Sequence, residues 1–253
     1  MPSSFQEVPM TVGNWRTYAA ELLGTFMLVF IGTTAIVAAG RANAPVLLAA
    51  AFAFGLALLA GLYAFAEVSG GHYNPAVSLA LFLDRRLPLG DLVGYWIAQF
   101  IGGILAAIVL LVATSQADVA STATVPSSNG TAFLIELVMT TLFVLVILQA
   151  SRSERFGTSA LIAIPLTLLA VHLAAIPFSG SSVNPARTFG PDLIGNRWTG
   201  LWIYLIAPPL GAVLAWVIHA GVVRGAVAPT APAVAEVLEE PAADERARRR
   251  RAR

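Results

Sequence analysis

The stretch Ser69-Gly-Gly-His-Tyr-Asn-Pro-Ala-Val77 returns later in the chain as Ser179-Gly-Ser-Ser-Val-Asn-Pro-Ala-Arg187. Ser, Gly, Asn, Pro and Ala recur at matched offsets. Asn is a good helix N-cap and Pro is favoured at the first helical position. Asn74-Pro75-Ala76 and Asn184-Pro185-Ala186 therefore read as two helix starts. The apolar segments that follow, 75–83 and 185–194, are short. At about 1.5 Å per residue they reach only about half-way across a hydrocarbon layer of roughly 30 Å. Each copy reads as a loop that enters a membrane and turns into a half-helix.

Six longer apolar stretches surround them, at about 17–40, 45–67, 92–114, 131–150, 158–178 and 200–223. Each is long enough to span a bilayer. The composition agrees: 57% of the 253 residues are hydrophobic and 11% charged, far more apolar than a soluble domain needs. The first span carries Glu21 and no small-residue cleavage site, which sets it apart from a signal peptide. The absence of cysteine excludes disulfides, thiol catalysis and Cys-based metal sites.

The repeat extends beyond the two loops. Glu21-Leu-Leu-Gly-Thr25 matches Glu136-Leu-Val-Met-Thr140, and Tyr95, Ala98 and Gly102 match Tyr204, Ala207 and Gly211. Three spans per half is an odd number, so the halves have inverted topology. Arg16, Arg85, Arg86, Arg152, Arg155, Arg224 and the cluster at 246–253 fall on one side, against Arg41 and Arg197 on the other. The positive-inside rule puts that side, with both termini, in the cytoplasm. The fold expected is an all-α membrane protein of six transmembrane helices and two re-entrant half-helices, in the plasma membrane. Residues 1–14 form a cytoplasmic segment, 15–223 the channel (halves about 15–114 and 131–223), and 224–253 a disordered basic cytoplasmic tail.

Two such loops in inverted three-span halves, with an Arg directly after the second, resemble the aquaporin, or major intrinsic protein, family over roughly residues 15–223. The resemblance implies a passive water channel, not an enzyme, without cofactor or metal. It also implies a homotetramer with one pore per subunit. Water is the expected partner beside the lipid bilayer; no nucleic-acid-binding fold is legible. The neighbouring reading is a facilitator of small neutral solutes such as glycerol, ammonia or hydrogen peroxide. A secondary transporter would need an ion relay, and the spans show none.

The residues support these roles. The Asn74 and Asn184 amides can donate to passing water, and two helix N-termini facing one another at mid-depth form a barrier to cations. Residues Gly70, Gly71, His72 and Tyr73, and Gly180, Ser182 and Val183, are expected to be non-helical and to line the pore with backbone carbonyls. Glu21 and Glu136, one per half, are expected to accept hydrogen bonds from these loops. Arg187 sits in the first turn of a helix and inside a membrane, where a cation is doubly unfavourable; the matched residue is Val77. Such a cost points to use. By resemblance, the outer constriction of water-selective members maps onto Phe54, His172, Ser181 and Arg187. Leu205 and Asp192 depart from the family's water-channel pattern outside these four positions, and His219 reads as an interfacial residue.

Overall fold

The structure is a computed structural model that describes residues 14–152 and 156–224. The expected N-terminal segment, apart from Asn14, and the tail beyond Arg224 lie outside the described residues, as does Arg155. Helices α1 (Trp15–Arg41), α2 (Val46–Ser69) and α4 (Leu89–Ala113) make the long elements of the first half, with α3 (Pro75–Leu83) between the last two. A short helix α5 (Gln116–Ser121) follows. The second half repeats the plan with α6 (Asn129–Ala150), α7 (Ala160–Ser179), α8 (Pro185–Ile194) and α9 (Leu201–Ile218). Among the described residues, six helices are long and apolar enough to cross a membrane. Both half-helices begin and end where the sequence places them. The last span, read through residue 223, is α-helical only to Ile218 and continues as a π-helical turn at His219–Val223.

Packing follows the inverted repeat. Helix α1 lies against α2 and α4, and α6 lies against α7 and α9. The halves join through α2 on α7, and each half-helix docks on the last long helix of the other half, α3 on α9 and α8 on α4. The α4–α8 crossing is close enough to require glycine: a Cβ on Gly190 would come within 2.2 Å of the Gly103 carbonyl oxygen. Small residues are the usual means of such approach in lipid, where apolar burial does not drive helices together. Outside, Leu56, Val93, Leu134 and Leu166 present bare apolar side chains. Helix α5 was not legible from hydropathy. Its signal is polar: Ser115 is the N-cap, its hydroxyl accepting from the Asp118 amide at 3.2 Å and donating to the Asp118 carboxylate at 2.7 Å. Those bonds, with that from Arg41 at 2.8 Å, hold the Asp118 carboxyl below the usual carboxylate range.

The two loops before the half-helices run as non-helical backbone in the protein interior. Their path needs positive φ at Gly70 (84°) and Gly180 (76°), where each long helix ends. Such backbone has no helical partners, so its N–H groups need other acceptors. One buried carboxylate per half supplies them. Glu21 accepts from the amides of His72 (2.9 Å) and Tyr73 (2.7 Å) and from Ser69 Oγ (2.7 Å). Glu136 accepts from Ser182 (2.8 Å), Val183 (2.7 Å) and Ser179 Oγ (2.7 Å). Tyr95 and Tyr204 close each cradle, each hydroxyl donating to the carbonyl of Ser69 or Ser179 at 2.6 Å. Gln99 adds a bond to Glu21 at 2.8 Å that has no counterpart, since Pro208 stands at the matched position.

This geometry predicts a graded response at Glu21. Glu21→Gln retains one carbonyl acceptor and should fold with a modest loss of thermal stability. Glu21→Leu strands buried donors, at about 1–3 kcal/mol each, and should lower the melting temperature and folded yield sharply. Thermal unfolding of detergent-solubilised protein measures both; equal stability of the two variants would refute the acceptor role.

Candidate functional site

The site is built where the two half-helices meet. Asn74 Oδ1 accepts from the Ala76 amide at 2.9 Å, and Asn184 Oδ1 from Ala186 (3.0 Å) and Arg187 (3.2 Å). These are N-cap bonds, with Pro75 and Pro185 in the first turn. The amide nitrogens reach across the repeat: Asn74 Nδ2 donates to the Val183 carbonyl and Asn184 Nδ2 to the Tyr73 carbonyl, both at 2.8 Å. A side-chain amide has two N–H donors. One ties the half-helices together, and one is left for a solute.

A cavity runs past both caps. Its apolar wall is Leu28, Leu58, Phe143 and Leu168, and its polar side carries His72, Asn74, Ser182 and Asn184. Phe54, His172 and Arg187 line the same cavity. The Phe54 and His172 rings lie 4.9 Å apart between centroids, and the Arg187 guanidinium carbon stands 4.8 Å from the Phe54 centroid, in cation–π range. Phe54 fits because residue 32 is glycine; a Cβ there would come within 2.2 Å of the ring. All three side chains are buried.

The remaining sequence-derived residues take distinct places. Ser181 Oγ lies 3.4 Å from His172 Nδ1, so the four positions of the expected constriction do converge, although Ser181 touches His172 and is not among the residues lining the cavity. His72 faces the cavity, with Nδ1 3.1 Å from Ser78 Oγ. The Tyr73 ring points away from it, its hydroxyl bonded to the Gly61 carbonyl at 2.9 Å. Gly70, Gly71 and Gly180 turn the loops at positive φ (84°, 70° and 76°) and are not among the residues that line this cavity.

One residue differs from its sequence reading. His219 is fully buried rather than interfacial: Nδ1 is 4.0 Å from Asp84 Oδ1 and Nε2 is 3.3 Å from Gln149 Oε1. A neighbouring carboxylate and amide draw it inward, a contact between distant segments that no local pattern announces. Inside the protein Arg187 shares its half-helix with a second charged residue. Asp192, five positions on, is 1% exposed. In the sequence it stood out only as a departure from the family pattern.

The family model described as major intrinsic protein matches residues 9–219. An Aquaporin Z of Brucella melitensis is 40% identical over 219 residues, covering 80% of this chain and 96% of the relative. An Aquaporin Z of Rhodopseudomonas palustris is 38% identical over 222 residues, covering 81% and 92%. A glycerol uptake facilitator protein-like 6 of Lactiplantibacillus plantarum is 40% identical over 209 residues, covering 79% and 94%. The X-ray structure of the aquaglyceroporin from Plasmodium falciparum superposes with a TM-score of 0.75 at 24% identity, covering 83% of this chain and 96% of that one, a likeness of fold. Opposed caps on two re-entrant half-helices, a cavity beside them and relatives spanned almost end to end lead to one conclusion. The chain belongs to the major intrinsic protein family and is a multi-pass membrane channel, not an enzyme.

Proposed function

We propose that the chain is a passive, bidirectional water channel of the plasma membrane that excludes protons and ions. The observation that carries this reading is the cluster of Phe54, His172 and Arg187 at one level of the lumen. Two rings packed together at 4.9 Å, with a guanidinium against one of them, concentrate bulk at this level, which weighs against a three-carbon polyol. His172, Arg187 and, beside His172, Ser181 supply polar groups for water. Asn74 and Asn184 then each offer a free N–H, and the helix N-termini, worth about half a positive charge each, set a barrier against cations. The carbonyls of Tyr73 and Val183, each with a second lone pair, are the acceptors beside the caps.

The arginine distribution supports termini on the cytoplasmic side. Residues 15–223 form the conducting unit, assembled as a homotetramer with one pore per subunit. Glycerol facilitation is the second reading. It is favoured by the relative named as a glycerol uptake facilitator and by Leu205 in the sequence.

Stopped-flow light scattering on reconstituted vesicles separates the readings. Fast osmotic shrinkage with a low activation energy and negligible proton current is expected. Permeability equal to that of empty vesicles would end the water-channel reading.

The constriction has its own test. His172→Gly combined with Phe54→Trp removes the imidazole and reshapes the aromatic wall, and should raise the ratio of glycerol to water flux. A wild type that already passes glycerol as readily as this variant would support the facilitator instead.

A further inference from the structure

Helix α1 lines the cavity with Leu28 and, one turn further on, presents only backbone at Gly32. Residues four apart share a helix face. Gly32 is buried, and the space beside it is filled by the Phe54 ring of α2. A Cβ on Gly32 would lie 2.2 to 2.4 Å from Cε1, Cδ1 and Cζ of that ring. The edge of the ring therefore rests on the α1 backbone. The repeat shows that glycine and ring belong together. In the registers that match Glu21 with Glu136 and Ser69 with Ser179, Gly32 and Phe54 correspond to Ile147 and Ile164, both buried in the apolar core. The second half has neither the ring nor the glycine.

A displaced ring would have one direction open. The next residue, Gly55, lies directly against α7: a Cβ there would come within 2.8 Å of Leu169 Cβ and 3.2 Å of the Pro165 carbonyl oxygen. Helix α2 is thus held by α1 at residue 54 and by α7 at residue 55, with no room to retreat from either. To reach ordinary contact with a Cβ at residue 32, at 3.4 Å or more, the ring must withdraw by about 1 Å. The space it would enter is the lumen, which it lines together with His172 and Arg187. The ring also supports Arg187, whose guanidinium carbon stands 4.8 Å from its centroid and whose Nη1 reaches the Thr122 carbonyl only at 3.5 Å. Moving the ring therefore disturbs a polar group of the constriction as well as its width.

We propose that Gly32 is a positioning residue of the constriction: by leaving the Phe54 ring room against α1, it sets the aperture between that ring, His172 and Arg187. The inference rests on the reading of Phe54 as part of the constriction. Gly32 is not among the residues lining the cavity and acts through the ring. Passage through a pore of molecular width depends on its diameter and on the polar groups that line it. Both are set here from behind the wall.

The test uses the full chain in proteoliposomes, as wild type, Gly32→Ala, Phe54→Leu and the double variant. Osmotic water permeability is normalised to the amount of channel per vesicle, and glycerol flux is read on the same samples. Gly32→Ala should lose water permeability severalfold. Phe54→Leu should raise the ratio of glycerol to water flux. Adding Gly32→Ala to Phe54→Leu should cost no further water flux, because the smaller side chain leaves room for the methyl group. Wild-type water flux in Gly32→Ala overturns the proposal. So does a loss that the double variant retains in full, since α1 and not the ring would then be disturbed. Thermal unfolding in detergent provides an independent readout if Gly32→Ala folds poorly. The double variant should melt above the value expected from adding the two single losses, and strictly additive losses would overturn the proposal as well. Failure of the constriction reading looks different. An unchanged glycerol-to-water ratio in Phe54→Leu removes the ring from the constriction, whereas a raised ratio beside wild-type water flux in Gly32→Ala removes Gly32 alone.

Discussion

Two buried carboxylates make this fold possible. Backbone at membrane depth must pair its polar groups internally, and helices do so without help. The segments before Asn74 and Asn184 are not helical, so they exist only because Glu21 and Glu136 receive their amides. A carboxylate suits this work because it accepts from several donors at once and each charge-assisted bond is stronger than a neutral one. Its burial would otherwise be costly. The cradle and the loop therefore stabilise each other, and neither is expected to persist alone. Once the loops hold, the caps face each other, and the cross-bonds from Asn74 to Val183 and Asn184 to Tyr73 lock the halves at the lumen.

Symmetry builds the scaffold, and the charged departures from it within the half-helices gather on the second. The cradles match bond for bond, down to the Tyr95 and Tyr204 hydroxyls. The hydroxyl contact between loop and half-helix also repeats, as His72 with Ser78 and as Ser182 with Thr188. Against this background, Arg187 in place of Val77 and Asp192 in place of Phe82 are conspicuous. A residue that a symmetric scaffold does not require, and that costs free energy to bury, is best explained by what passes it. The lumen is accordingly asymmetric along its length, with the aromatic, imidazole and guanidinium groups gathered at one level.

Much of this was legible in the sequence because the deciding signals are local. Asn followed by Pro marks a helix start wherever it occurs, and an apolar run of the right length marks a span. The half-helices accordingly appear where the sequence places them. What escaped was non-local. Gln99 donating to Glu21, and His219 meeting Asp84, join segments 78 and 135 positions apart, and nothing in either neighbourhood anticipates the other. Asp192 was visible as an odd residue, but its near-complete burial was not. Helix α5 was missed for the opposite reason: its signal is a polar capping pair within a connection whose apolar content is low.

The cluster around Asp84 shows why the dipole barrier can be fixed in place. Asp84 caps the C-terminal end of α3, where a negative charge opposes the helix dipole. Arg86 Nε at 2.9 Å and Arg152 at 3.7 Å offset it. Arg86 also donates to Ser151 Oγ and to the Leu148 carbonyl, which ties the end of α3 to the end of α6. Helix α8 is held at its own end by backbone, through Arg197 to the Asp192 carbonyl at 2.8 Å and Gly195 to Pro191 at 2.7 Å. Each half-helix is thus anchored at both ends, one by the Asn cross-bond and the other by its own closure. The dipoles at the caps keep their direction only if the half-helices cannot swing. Anchoring both ends removes that freedom, which links the ion cluster remote from the lumen to the geometry of the caps at its centre.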